Sequence, residues 1–132
     1  LLLIAPGIQE KFGKTRDTVG TQLDIVPTIM GRLGGTVRHQ CWGRDVLSVK
    51  DAGFALIKPS GNDEIVGFLR DDRIVVKRPN APATLYRYDA AQNAHAEPIN
   101  DPAETAQMAT TLSAFVERAT RSLLDNTAGA GQ

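Results

Sequence analysis

Apolar and polar positions along the chain change rhythm twice, and each change marks a different kind of structure. Residues 1–5, Leu-Leu-Leu-Ile-Ala, are apolar throughout, the pattern of a strand covered on both faces in a parallel sheet. Pro6-Gly7 stops it, and residues 9–17 are polar and charged, which reads as an exposed loop. Ile25, Val26, Ile29, Met30 and Leu33 then recur at helical spacing, predicting a short amphipathic helix over 24–33 that buries them. Asp24 is the expected N-cap, which leaves Pro27 in the first turn, where a missing N–H breaks no bond. A start at Thr21 would push Pro27 deeper and cost a hydrogen bond. Gly34-Gly35 supplies the left-handed exit. Residues 36–49 are irregular, with Val37, Trp42, Val46 and Leu47 lying over the edge of the core.

From Gly53 onward the period falls to two. Residues 54–57, 64–70, 73–78 and 84–88 read as four short strands, separated by turn residues at 59–63, Asp71-Asp72 and 79–82. Local connections of this kind make an antiparallel sheet. Residues 89–99 are polar and alanine-rich and read as a loop. Asn100 or Asp101 then caps a long helix with Pro102 at its first position and Glu104 in its first turn. Its expected buried stripe is Met108, Leu112, Phe115, Val116, Ala119 and Leu123. The fold class is α/β overall and α+β within this chain: one buried strand and a capped helix, then a four-stranded antiparallel sheet on a long C-terminal helix. The expected units are 1–50, 51–126 and a flexible tail at 127–132.

A length of 132 residues supports one hydrophobic core. The formal net charge is zero, so no global field draws in nucleic acid or an acidic membrane, and no nucleic-acid partner is expected. The lone cysteine, Cys41, permits no internal disulfide. The opening apolar run is far short of the roughly 20 residues that a membrane span needs, and it lacks the basic flank and cleavage site of a signal peptide.

Four pieces in order carry a family resemblance: Leu-Leu-Leu-Ile-Ala-Pro6-Gly7; Thr21-Gln-Leu-Asp24-Ile-Val-Pro27-Thr28; Gly43-Arg44-Asp45-Val-Leu47; and Leu85-Tyr86-Arg-Tyr88-Asp89. They resemble the C-terminal part of sulfatase-like enzymes of the alkaline phosphatase superfamily, nearest to the lipoteichoic acid synthase (phosphoglycerol transferase) branch. Thr21 stands where that family often has Ser. The resemblance implies a parent enzyme that transfers or hydrolyses phosphate or sulfate esters with a divalent metal: zinc, manganese or calcium. It also implies a parent anchored in the cytoplasmic membrane, its catalytic domain outside the cytoplasm. The family's metal-binding acids, its Ser, Thr or Cys nucleophile and its late Asp-His or Asp-Asn pair have no counterpart here. The chain thus reads as a piece of a longer protein, inactive alone. Its expected partners are the remainder of the catalytic domain and, in isolation, a second copy. Any membrane contact would come through upstream segments.

The candidate chemistry is thin. Within the matched motifs Asp24, Pro27, Thr28, Gly43, Arg44 and Asp45 read as structural, with Arg44 and Asp45 forming a local ion pair or holding their turn. His39 and Cys41 are a two-residue fragment of a metal site that needs three or four ligands, and His95 reads as a loop histidine. Cys41 or Thr28 as an esterase nucleophile would need an adjacent base. Arg70, Arg73, Lys77, Arg78 and Arg87 offer an anion-contact face beside Tyr86 and Tyr88, or a solvated guard along the sheet edge. The alternative to the enzyme-part reading is an autonomous α+β binding or assembly module using the 64–88 sheet face.

Overall fold

The row of residues Leu56, Phe68, Val75, Leu85 and Ile99 organises the fold, one from each of five antiparallel strands in direct register. The structure, a computed structural model, describes residues 3–34, 39, 41–59, 61, 64–89 and 95–126. The strands are β1 (Phe54–Ile57), β2 (Val66–Arg70), β3 (Arg73–Lys77), β4 (Thr84–Asp89) and β5 (His95–Ile99), and the sheet order is the chain order. This meander with a long helix against it is the α+β arrangement expected from the period-two region. Among the described residues the α-helices are α1 (Ile8–Phe12), α2 (Ile25–Met30) and α3 (Pro102–Leu124).

Alternation puts Phe68, Val75 and Leu85 on the face toward α3, where Met108 and Leu112 meet them. Val75, Leu85 and Leu112 are essentially fully buried, each stabilising the fold by about 1.5–3 kcal/mol. Helix α3 begins as expected. Asp101 Oδ1 accepts from Glu104 N at 2.9 Å, with Pro102 at the first position. The expected stripe holds only in its first half. Phe115 is half-buried, while Val116 and Leu123 are exposed. Beyond Leu112 the apolar stripe gives way: Ser122 is the next buried position, while Val116, Leu123 and Leu124 face solvent.

Two elements differ from the sequence pattern beyond their ends. Residues 95–99, read as loop, form edge strand β5. Four of its five side chains are exposed and Pro98 stands in it, so no alternation marks it. An outer edge is where a strand proline is tolerated. Residues 9–17, also read as loop, contain most of α1, a single exposed turn.

The N-terminal region departs further. Of the expected buried strand, Leu1 and Leu2 lie outside the described residues. Leu3, Ile4 and Ala5 form no strand, and Ile4 is 86% exposed. A strand apolar on both faces needs pairing neighbours and covering layers, and nothing in the described sheet provides them. The predicted helix is split. A 3-10 turn, Gln22–Asp24, follows the extended residue Thr21, and α2 runs only to Met30. The chain thereby begins at Thr21 without penalty, since the α-helical bonding starts late enough for Pro27 to remain in its first turn. The helix is capped at Gly31 in the right-handed region, short of the expected exit; Gly34 is left-handed at φ 79°, and Gly35 lies outside the described residues.

The expected buried face of this helix turns only partly inward: of its five apolar residues, Ile25 and Met30 are half-buried. Pro27 and Thr28 are buried, whereas Leu23 and Ile29 are each 44%, Val26 50% and Leu33 77% exposed. The reason is that the polar side of the turn is engaged by hydrogen bonds from the 43–46 loop, which fixes which face points in.

Candidate functional site

Asp24, Pro27, Thr28, Gly43, Arg44 and Asp45 come from two segments and are brought together in one polar clasp. The Asp24 side chain is 3% exposed. Its Oδ2 accepts from Thr21 N at 2.8 Å and its Oδ1 from Arg44 N at 2.7 Å, while Arg44 Nη2 lies 3.5 Å from Oδ2. Asp24 does not cap α2 with its side chain, as expected from sequence; it binds backward to Thr21 and across to Arg44. Charge-assisted bonds to backbone N–H groups are what make a buried carboxylate tolerable.

Thr28 is fully buried. Its hydroxyl donates to the Asp24 carbonyl at 2.6 Å and accepts from Val46 N at 3.1 Å. Gly43 is required by close approach: a Cβ there would stand 1.9 Å from the Leu23 carbonyl oxygen and 2.6 Å from Asp24 N. Arg44 and Asp45 are not paired with each other. Arg44 Nη2 reaches Val19 O at 3.3 Å and Phe54 O at 3.0 Å, and its guanidinium lies 3.9 Å from the centroid of the Phe54 ring. Asp45 takes Arg32 Nη2 at 2.6 Å, Ser48 Oγ at 2.6 Å and Leu47 N at 3.0 Å, holding its own turn.

Arg44 therefore joins three parts of the chain: the stretch before α2, α2's own start, and β1. A backbone bridge between Val19 and Gly53 runs alongside, with Val19 N donating to Ala52 O at 2.8 Å. Beyond it, aromatic contacts lead inward. Trp42 meets Phe115 at 5.6 Å, Phe115 meets Phe54 at 6.5 Å, and Phe54 meets Phe68 of the core at 5.6 Å, centroid to centroid. Val19, Phe54 and Phe115 were not singled out in sequence as partners of the motif. Only the side-by-side Trp42 and Gly43-Arg44 hinted that this loop touches the core.

Chemically, the Asp24 carboxylate and the Thr28 hydroxyl of the clasp are both engaged in hydrogen bonds, whereas Arg44 Nε is buried with no hydrogen-bond partner among the described residues and Arg44 Nη1 lies 3.6 Å from Asp51. The Thr28 hydroxyl hydrogen faces a carbonyl, and no base adjoins it. His39 Nδ1 accepts from the Cys41 backbone N at 3.3 Å, which places the imidazole on the peptide rather than the thiol. Among the described residues no three His, Cys, Asp or Glu side chains converge to hold a metal ion. A cleft of 780 Å³ borders the clasp, with walls including Leu3, Ile8, Phe12, Ile25 and Leu47. Asp24 is the carboxylate on its lining, and that carboxylate is already saturated.

The five basic residues do not form one face with the tyrosines. Alternation sets Arg70, Arg73, Lys77 and Arg87 on α3's side of the sheet, and Tyr86 and Tyr88 on the other. Arg73 pairs with Asp72 at 2.5 Å and approaches Glu104 at 3.6 Å, Arg87 lies 3.9 Å from Asp72, and Lys77 Nζ donates to Ser113 Oγ at 3.3 Å. Arg78 follows the end of β3 and is exposed. Comparison with protein-family models, curated proteins and solved structures returns no match to this chain.

Proposed function

We propose that the chain is the non-catalytic C-terminal part of a metal-dependent sulfatase- or phosphoglycerol-transferase-like enzyme, which transfers or hydrolyses sulfate or phosphate esters. One observation carries the reading. Asp24, Thr28, Gly43 and Arg44, which lie in the stretches that create the family resemblance, meet in space, and all four are engaged with backbone groups. A motif of that kind supports a site without taking part in it. The divalent metal and the nucleophile belong to the remainder of the catalytic domain, and no step of the reaction is assigned to residues here. The parent is proposed to sit in the cytoplasmic membrane with its catalytic domain outside the cytoplasm.

The test is turnover of p-nitrophenyl phosphate and p-nitrophenyl sulfate with zinc, manganese or calcium. The 132-residue chain alone is expected to give none, and the same chain joined to the coding sequence preceding it is expected to turn over one of them. In the joined protein Asp24→Asn lowers the folded yield while leaving kcat per folded molecule unchanged. Turnover by the isolated chain that disappears in Cys41→Ala or Thr28→Ala contradicts the reading.

The second reading, an autonomous binding module, is favoured by one feature. The sheet face opposite α3 carries Ile57, Leu69, Ile74, Val76, Tyr86 and Tyr88, and α3, the helix that packs on β2, β3 and β4, lies on the other side. A partner bound there, with no need for any further polypeptide, would select this alternative.

A further inference from the structure

The cleft beside the clasp has a chemically one-sided lining. Its 780 Å³ lies within the roughly 300–1,000 Å³ of small-molecule pockets. Leu3, Ile8, Phe12, Ile25, Val46 and Leu47 make an apolar wall from separate stretches of the chain. The cations on the lining are Lys14 and Arg16, and the carboxylate on it is Asp24. Thr21 N, Arg44 N and the Arg44 guanidinium already occupy that carboxylate. The neighbouring acids Glu10 and Asp17 are not part of the lining. Neither Lys14 nor Arg16 has an ion pair among the described residues. Arg16 Nη2 donates to Val49 O at 3.1 Å and to Val46 O at 3.5 Å. Those carbonyls hold the guanidinium beside the wall and leave its charge uncompensated.

We propose that this cleft binds a free single-chain amphiphile with a carboxylate head, its alkyl chain on the apolar wall and its head on Lys14 and Arg16. Charge selects the head. With Asp24 neutralised, an anion meets cations and no repelling group on the lining. The planar fork of Arg16 matches a carboxylate in particular. The wall selects an alkyl chain over an aromatic body. Its ring, Phe12, already carries Arg32 at 4.5 Å and Lys11 at 5.5 Å, so the contacts left to a ligand are aliphatic. Each methylene buried there strengthens binding by about fourfold. The inference concerns the cleft alone and stands whether the chain is part of an enzyme or a module by itself.

Titration of the 132-residue chain with sodium decanoate below its micelle threshold, followed by NMR, tests it. Saturable one-to-one binding is expected, with shifts concentrated at Ile8, Phe12, Ile25 and Leu47. Hexanoate, with its shorter chain, is expected to bind at least about tenfold more weakly. Decyltrimethylammonium, with the same chain length and the opposite charge, should also lose at least about tenfold. Arg16→Gln is expected to weaken decanoate by about tenfold, although it also releases the Val46 and Val49 carbonyls. Lys14→Gln removes a charge without breaking a hydrogen bond or ion pair among the described residues, and should weaken decanoate by about two- to fivefold in a chain that folds normally. Lys77→Gln, on β3, should leave binding unchanged. Absence of saturable binding overturns the proposal, as does decyltrimethylammonium binding as tightly as decanoate. Shifts that map to Val26, Ile29 and Leu33 instead of the cleft overturn it too. So does a chain that floats with phosphatidylglycerol vesicles while ignoring monomeric decanoate.

Discussion

The backbone N–H of Arg44 donates to Asp24 Oδ1 at 2.7 Å, across 20 positions of sequence. Because the same arginine's side chain returns to Asp24 Oδ2, Val19 O and Phe54 O, this pair fixes both the loop and its attachment to the sheet. Replacing Asp24 by Asn keeps one acceptor but turns an NH₂ group toward donors, leaving Arg44 without its buried counter-charge. The expected loss is about 3 kcal/mol of stability, read as a lower urea midpoint with an unchanged m-value.

Arg44→Lys preserves the charge yet is expected to cost about 1–2 kcal/mol. A single ammonium cannot lie flat on the Phe54 ring while also reaching the Val19 and Phe54 carbonyls. Chemical denaturation measures the loss, and the Phe54 ring signals in an NMR spectrum should shift with it.

Gly43→Ala tests close approach rather than backbone freedom. The added Cβ meets the Leu23 carbonyl and Asp24 N, both backbone atoms that no side-chain rotation relieves. We expect a loss of about 2–4 kcal/mol, larger than for Gly7→Ala, where a Cβ meets nothing within 4 Å but φ is 72°.

Ser122 offers a gain. It is buried on α3, and its Oγ has no hydrogen-bond partner among the described residues. Ser122→Ala removes an unsatisfied hydroxyl and improves helix propensity, so stability should rise by about 0.5–1.5 kcal/mol. Thermal unfolding of the two proteins side by side decides it.

What was legible in the sequence follows a physical line. The strands β1 to β4 and the start of α3 are set by local pattern and by Asp101-Pro102, and both were readable. Strand β5 was not, because Pro98 and its exposed neighbours carry no alternation, and its place is set by the pairing of Ile99 with Leu85. The exposure of Val26, Ile29 and Leu33 was hidden for a different reason. Helical spacing identifies an apolar face, but which face turns inward was decided by Asp24 and Thr28 bonding to a loop some twenty residues away. The motif residues were visible as a group, whereas the partners that explain them, Val19 and Phe54, contribute backbone carbonyls that any residue would supply.

The central claim is that the clasp makes the N-terminal segment and the sheet one cooperative structure. Native-state hydrogen exchange of the Arg44 and Val46 amides, compared with the Val75 amide in the core, tests it most directly. The account predicts that all three open with the same free energy and fall together in Asp24→Asn. Arg44 and Val46 amides exchanging orders of magnitude faster than Val75, and indifferent to Asp24→Asn, would contradict it.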